Sequence, residues 1–136
     1  MQRRMLTRED EASTGGEERE VRREDQDKIN RFSRLHQREL LMEEELKTKR
    51  KDREDLDEVS NELELSDEDD LVPYKIGDAY ISLPVPEVQG LLGASSERIE
   101  HDISALEERL SGIRDEMEQL KIALYARFGR SINLET

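Results

Sequence analysis

Apolar residues follow two different periods along the chain: steps of 4 and 3 in both halves, and a period of two between them. The steps of 4 and 3 are more regular in the second half. Between residues 86 and 128 they recur in alternating steps of 4 and 3, which is the spacing of a coiled-coil seam. The eight core positions are Ile99, Ile103, Leu106, Leu110, Ile113, Met117, Leu120 and Leu124. The pattern predicts a long helix over 86–128 with one face packed against a partner helix.

Prolines and glycines mark where this helix should begin, weaken and end. Pro86 suits the first turn, because the N–H that it lacks would have no helical partner there. Gly90 and Gly93 each cost about 1 kcal/mol relative to Ala inside a helix, so we expect a break or kink in this stretch. Gly129 suits the position just after the helix, where a left-handed residue closes the last turn. Residues 129–136 are then a C-terminal tail.

A more interrupted seam runs through the first half, where residues 24–66 contain neither Pro nor Gly. Placing Phe32 at heptad position a assigns ten core positions, of which six are apolar. They are Phe32, Glu39, Leu46, Arg53 and Ser60 at a, and Leu35, Met42, Lys49, Leu56 and Leu63 at d. Lys49 and Arg53 are expected to lay their methylene stems over the partner and keep their charges in water. This pattern predicts a helix over 24–66 with polar breaks in its seam.

Between the two helices the hydrophobic period drops to two, in the stretch LVPYKIGDAYISL at 71–83. The glycine-first loop Gly77-Asp78 suits a type II′ turn between antiparallel strands. Pairing across it sets Val72 opposite Leu83, Tyr74 opposite Ile81, and Ile76 opposite Ala79, all on one face. A lone hairpin is marginal in water. We therefore expect other subunits to cover this face, with packing onto the helix starts as the alternative.

These elements combine into a mostly α-helical fold, an antiparallel two-helix coiled coil with one central β-hairpin. Helices of similar length cover each other's seams if the hairpin reverses the chain, and the chain ends then meet at one tip. The uncovered hairpin predicts an oligomer in which it joins an intersubunit β-barrel. A parallel dimer is the alternative, which the strands would interrupt. Residues 1–23 lack periodicity and are predicted to be a disordered arm, leaving 24–136 as a single domain.

Composition and charge narrow the class of protein and its partners. Charged residues make up 42% of the 136 positions and hydrophobic residues 33%, which is too little apolar material for a thick globular core. The formal net charge of −13 argues against nucleic acid as a partner, because phosphate binding needs clustered Lys and Arg. No apolar run approaches the about 20 residues that span a bilayer, so no membrane partner is expected. The cytosol, with nuclear access, is the expected location.

No group of residues in the sequence has the pattern of a catalytic or metal site, and carboxylates are so numerous that close pairs are expected by chance. His36 falls at heptad position e of the first helix and His101 at position f of the second, far apart, so we expect solvated surface histidines rather than zinc ligands. The acidic run 62–70 lacks the central Gly and distant Glu of a calcium loop. The basic run 47–53 is interpreted as a charged helix face, with a nuclear import signal as the alternative. The sequence therefore predicts no catalytic residue, no metal, no cofactor and no enzyme.

Three stretches resemble the prefoldin family, specifically its β-type subunits, which carry a single hairpin. They are EDQDKINRFSRL at 24–35, DEDD with LVPYKIGDAYISL at 67–83, and LKIALYARFGRSINLE at 120–135, whereas GLLGASS at 90–96 departs from the family. The resemblance implies a hetero-hexamer of two α-type and further β-type subunits, with hairpins in a double β-barrel body and coiled coils as tentacles. It also implies ATP-independent capture of unfolded clients, notably actin and tubulin, and their delivery to the cytosolic group II chaperonin.

The tip where the chain ends meet is the candidate client site. Its apolar residues are Ile29, Phe32 and Leu35 from the first helix, and Leu124, Tyr125, Phe128, Ile132 and Leu134 from the second helix and tail. Leu35 and Leu124 are interpreted as the end of the seam. Tyr125, Phe128 and the tail exceed what a two-helix seam buries near a fraying end, which predicts a loosely covered apolar patch. Several such tips in one complex would hold unfolded segments by avidity. A coiled-coil adaptor without holdase activity and an acidic histone-binding chaperone remain open as alternatives.

Overall fold

The computed structural model describes residues 20–134. The elements in that range are helix α1 (Arg23–Leu63), strands β1 (Leu71–Ile76) and β2 (Ala79–Pro84), helix α2 (Val85–Phe128) and a 3-10 turn (Gly129–Ser131). The two strands form an antiparallel hairpin between the helices. The predicted fold class is therefore confirmed. The predicted disordered arm lies outside the described residues up to position 19, and Arg23 at its end already belongs to α1.

The described residues divide into two compact units, and each contains a segment of both helices. Residues 20–44 and 108–134 form the terminal unit, whereas residues 45–107, including the hairpin, form the hairpin unit. Ion pairs give the direction of the helices in each. In the terminal unit they join Asp25 to Arg127, Arg31 to Glu116 and Glu39 to Arg114, and in the hairpin unit Lys49 to Asp102 and Arg53 to Glu100. Within each unit the two helices are therefore antiparallel.

The predicted seams lie where the helices meet. All ten core positions of α1 and all eight of α2 are buried or half-buried. At the polar position Lys49, the ammonium Nζ lies 3.3 Å from Asp102, and at Arg53 the guanidinium Nη1 lies 3.3 Å from Glu100. Their stems pass over the partner helix while the charged groups reach carboxylates beside the seam. Polar breaks of this kind keep the helices paired without an unpaired buried charge.

Helix α2 is continuous over its whole length, so the break expected at 90–96 is wrong. Val88 precedes Gly90, and Leu92 lies between the two glycines; both are buried in a cluster with Leu63 of α1. Full burial of an aliphatic side chain contributes about 1.5–3 kcal/mol, whereas each glycine costs about 1 kcal/mol. Packing of Val88 and Leu92 therefore outweighs the low helix propensity of the glycines.

The register of the hairpin is the predicted one. Cα partners are Val72 and Leu83, Tyr74 and Ile81, and Ile76 and Ala79. Gly77 has a φ of +61°, whereas no residue other than glycine has a positive φ in the described chain. A positive φ at the first loop residue alone is the requirement of a type II′ turn. The Gly-Asp order therefore sets the turn and, through it, the register.

The apolar face of the hairpin is covered in part by the chain itself. Half-buried Val72, Tyr74 and Leu83 pack against Leu63, Val85, Val88 and Leu92. The expectation that nothing in the chain covers this face is therefore wrong for these three residues. On the same face, Ile76 and Ile81 remain 53% and 46% exposed.

The cause of this partial cover is the absence of a linker between β2 and α2. The helix begins at Val85, directly after the strand ends at Pro84. The N–H of Val85 donates a hydrogen bond of 3.1 Å to the carbonyl of Asp70, just before β1. The first turn of α2 is thus held against the open end of the hairpin, and its apolar residues reach only the nearest strand positions.

Replacing Gly90 or Gly93 with Ala should raise the free energy of unfolding of the full chain by about 0.5–1 kcal/mol each. A Cβ at either position meets no atom within 4 Å, so the gain in helix propensity is not offset by a clash. Denaturant unfolding followed by circular dichroism measures it. Gly77→Ala is the control and should destabilise, because its φ of +61° disfavours a side chain. Destabilisation by both Gly90→Ala and Gly93→Ala would contradict the expectation that the gain in helix propensity is not offset by a clash.

Candidate functional site

The structure brings the eight predicted site residues together in the terminal unit. Seven are buried in one cluster with Ile113 and Met117, and Tyr125 packs against it half-buried. We call this set the terminal cluster: Ile29, Phe32 and Leu35 of α1, Ile113, Met117, Leu124 and Phe128 of α2, and Ile132 and Leu134 after it. Both ends of the described chain therefore contribute to one apolar core.

The prediction that this patch is loosely covered is wrong. Phe32 is 1% exposed, Leu124 is fully buried and Phe128 is 3% exposed. The cover comes from the chain after α2. Gly129, with a φ of +57°, ends the helix in the left-handed conformation predicted for it, and the chain that follows returns Ile132 and Leu134 to the cluster.

Residues 132–134, which we call the strap, form this cover. Ile132 is extended, with φ −127° and ψ 143°. Its side chain and that of Leu134 are both buried, with half-buried Asn133 between them. Side chains two apart in an extended segment point to the same side, so the strap places two aliphatic groups on the cluster.

A hydrogen bond anchors the end of the strap to α2. The backbone N–H of Leu134 donates to the hydroxyl oxygen of Tyr125, at 3.1 Å. Tyr125 thus packs its ring against the cluster and uses its polar end to hold the strap. The sequence placed Tyr125 in the site but carried no signal for this bond, because nine positions separate the partners.

A buried ion pair links the two helices beside the cluster. Asp25 is 2% exposed, and its Oδ2 accepts a 2.6 Å hydrogen bond from Nε of Arg127. The same oxygen accepts the backbone N–H of Arg22 at 3.0 Å, which caps the start of α1. A second nitrogen of Arg127, Nη2, donates to the carbonyl of Glu20 at 2.6 Å. Arg127 therefore joins the end of α2 to the start of α1.

The sequence contained a signal for this pair, but the predicted seams ended one core position before it on each helix. Seven positions before Phe32, the next position a is Asp25, and three positions after Leu124, the next core position is Arg127. Opposite charges thus occupy the next core positions of the two seams. Extending both seams by one position predicts the contact.

The pKa of Asp25 is set by two opposing effects. Burial raises it, but the hydrogen bonds from Arg127 and from the backbone N–H of Arg22, with the positive charges of both guanidinium groups, outweigh burial and hold the pKa below its usual value. The carboxylate is therefore charged at neutral pH. Its stabilising contribution is present in full above the unfolded-state pKa of about 3.9 and is lost as the pH falls through the lower folded value.

Other charges in the terminal unit form a polar rim. Nη2 of Arg31 donates to Oε1 of Glu116 at 2.9 Å, and Arg114 donates to Glu39 and Glu43 at 2.9 and 2.6 Å. The hydrogen bond from Arg31 lowers the pKa of Glu116. Exposed pairs of this kind add little to stability because solvent screens them, so they orient the helices more than they stabilise them.

The two histidines differ in environment. His36 is half-buried, and its Nδ1 lies 3.3 Å from Oε1 of Glu39, so the expectation of a solvated surface histidine is wrong for it. Position e borders the seam, and the ring packs along that border. His101 is exposed, as predicted. Among residues 20–134, no three His, Cys, Asp or Glu side chains are arranged to hold a metal ion.

The hairpin is a second candidate site, for assembly. Apolar side chains are exposed on both of its faces, Ile76 and Ile81 on one and Leu71 and Tyr80 on the other. Over residues 20–134 the sheet has two strands, so each strand has one edge without a strand partner. Exposed apolar edges of this kind are suited to pairing with further strands.

Asp25→Asn should lower the free energy of unfolding by about 1.5–3 kcal/mol at pH 7, because the charged hydrogen bond to Arg127 is lost. Urea unfolding of the full chain measures it. The exposed Asp27 supplies the matched control, and Asp27→Asn should change stability by less than about 0.5 kcal/mol. The difference between wild type and Asp25→Asn should be constant from pH 7 to about 5 and shrink below about 4. An equal difference at pH 3 would contradict the role given to this carboxylate.

In the described part of the chain, no helix is long and apolar enough to cross a membrane.

Comparisons with known proteins give one family. The family model described as prefoldin subunit matches residues 26–131. Prefoldin subunit 4 of Saccharomyces cerevisiae is 44% identical over 112 residues, which cover 82% of this chain and 87% of that protein. Prefoldin subunit 4 of Homo sapiens is 40% identical over 113 residues, which cover 82% of this chain and 84% of that protein.

The crystal structure of the prefoldin beta subunit from Thermococcus strain KS-1 has the same fold, with a TM-score of 0.74 at 13% identity. The match covers 82% of this chain and 98% of that one. The chain therefore belongs to the prefoldin subunit family.

Proposed function

We propose that the chain acts as a β-type subunit of a hetero-hexameric prefoldin co-chaperone that captures unfolded proteins without ATP. The observation that carries this proposal is the terminal cluster. Both ends of the described chain supply apolar side chains to it, and a short strap completes its cover. A site of this chemistry has no need of a nucleotide, a metal or a catalytic group.

Assembly takes place through the hairpin. We assign this role to Val72, Tyr74, Ile76, Ala79, Ile81 and Leu83 together. The chain itself already covers Val72, Tyr74 and Leu83 in part, so the exposed Ile76 and Ile81 and the two open strand edges remain for neighbours. Two α-type and further β-type subunits would complete a β-barrel with them, which removes the open edges.

Clients bind at the terminal cluster. We assign this role to Ile29, Phe32, Leu35, Leu124, Tyr125, Phe128, Ile132 and Leu134. Because most of these side chains are buried in the unliganded chain, capture requires the cluster to open. Clients expected from the family resemblance are unfolded actin and tubulin, delivered to the group II chaperonin in the cytosol. The net charge of −13 keeps the holder soluble while apolar surface is exposed.

A coiled-coil adaptor that binds one folded partner is the second candidate. It is favoured by one observation, the nearly complete burial of the terminal cluster, since an adaptor needs no apolar surface that opens. The two candidates differ in one measurable property. A holdase suppresses the aggregation of unfolded proteins, and an adaptor leaves it unchanged.

Replacing Ile76 and Ile81 together with Ser should abolish the discrete hexamer when the chain is co-expressed with the α-type and other β-type subunits. Their exposed apolar surface is the part of the hairpin left for neighbours. Light scattering measures the mass, and circular dichroism checks that helix content is kept. Leu65→Ser is the control, because Leu65 is also aliphatic, is 90% exposed and lies outside the hairpin. A normal hexamer from the double variant would exclude the hairpin as the joint.

Phe128→Ser should abolish suppression of client aggregation by the assembled complex, measured as turbidity of unfolded actin on dilution from denaturant. The change places a polar group in the cluster and removes a ring that is 3% exposed. Ile122→Ser is the matched control on the same helix, because Ile122 is exposed and lies outside the cluster. If the wild-type complex itself leaves turbidity unchanged, the adaptor is the better account. Salt-sensitive histone binding that survives Phe128→Ser would favour an acidic histone chaperone.

A further inference from the structure

We propose that the strap, residues 132–134, is an internal occupant of the client site, held in the place that an extended client segment takes. This inference rests on the proposed function and refines it. Ile132 and Leu134 are then not part of the receiving surface but stand in for a client. The receiving surface consists of side chains of α1 and α2, among them Phe32, Leu124 and Phe128.

The conformation of the strap is that of a bound unfolded segment. Backbone angles at Ile132 are extended, and the chain reaches this conformation after the reversal at Gly129 and one 3-10 turn. Neither helix includes the strap. It presents two aliphatic side chains, at positions i and i+2, to the side that carries the cluster.

Its contacts with the helices are ones that many sequences can make. The burial of Ile132 and Leu134 depends on apolar volume and not on a particular functional group. The bond to the Tyr125 hydroxyl uses the backbone N–H of Leu134, and every residue except proline has that donor. The geometry points to clients with aliphatic residues two positions apart and a residue other than proline at the second of them.

Release of the strap leaves the two helices joined. Asp25 and Arg127 hold the start of α1 to the end of α2 at 2.6 Å, and neither residue belongs to the strap. The seam residues Phe32 and Leu124 lie in the helices. The receiving surface can therefore open by movement of the chain after Gly129, without separation of α1 from α2.

Covalent attachment makes the strap a strong competitor. A segment tethered by a short linker acts at an effective concentration in the millimolar range, so a dilute client with a single matching segment would not displace it. Clients that present several segments to several subunits would displace the strap. The strap thus keeps apolar surface buried in the absence of clients and raises the threshold for capture.

Displacement is measurable with the strap's own sequence as the probe. A fluorescein-labelled peptide with the sequence of residues 129–136, GRSINLET, is titrated with the assembled complex and followed by fluorescence anisotropy. A complex that carries Ile132→Ser with Leu134→Ser should bind it at least about fivefold more tightly than wild type, because the internal competitor is weakened. Leu134→Ala should give a smaller increase in the same direction.

Two controls locate the binding. A peptide with Ser in place of both aliphatic residues should not bind any complex. Adding Phe128→Ser to the strap variant should abolish binding of the original peptide, because the receiving surface is lost. Leu134→Ala, as the milder change, keeps the test valid if the double variant loses helix content by circular dichroism.

Equal or weaker peptide binding by the strap variants would overturn the inference and make Ile132 and Leu134 part of the fixed core. That outcome does not affect the proposed function. The proposed function is tested separately, by suppression of aggregation in the wild-type complex and by the loss of this suppression with Phe128→Ser. Conversely, tighter peptide binding without any suppression of aggregation would retain the strap as a competitor and exclude the holdase.

Discussion

Mutual burial of two narrow apolar stripes is the constraint on which the rest of the structure depends. With 42% charged residues, the chain buries its apolar side chains along helix seams. A seam covers one side of each helix, and it tolerates Lys49 and Arg53 because their long stems and ion pairs reach past it. The residues that a seam cannot cover, in the hairpin and in the terminal cluster, are the candidate functional sites.

The apolar residues outside the seam are covered to different extents in the hairpin unit and in the terminal unit. In the hairpin unit the first turn of α2 covers Val72, Tyr74 and Leu83, and Ile76 and Ile81 stay exposed. In the terminal unit the strap completes the cover. Permanently exposed apolar surface suits a permanent joint between subunits, whereas surface under a short extended segment suits reversible binding.

Much of this was predictable from short-range pattern. The seam over 99–124, the hairpin register and the glycine-first turn are local consequences of spacing, and the structure confirms each of these predictions. The buried Asp25–Arg127 pair lay one core position beyond the assigned seams. The predicted break at Gly90 and Gly93 failed because propensity is a local quantity, and packing against Leu63 comes from a residue distant in sequence.

Local patterns in the sequence are sufficient to predict the helices and strands, their apolar faces, and the family to which the chain belongs. How completely those faces are covered depends on tertiary contacts. Leu134 reaches Tyr125 through its backbone N–H, and Val85 reaches Asp70 in the same way. Every residue but proline carries that donor, so no side-chain pattern reports where it binds. Cover of the terminal cluster and of the hairpin depends on these long-range contacts, and composition and spacing do not encode them in any local window.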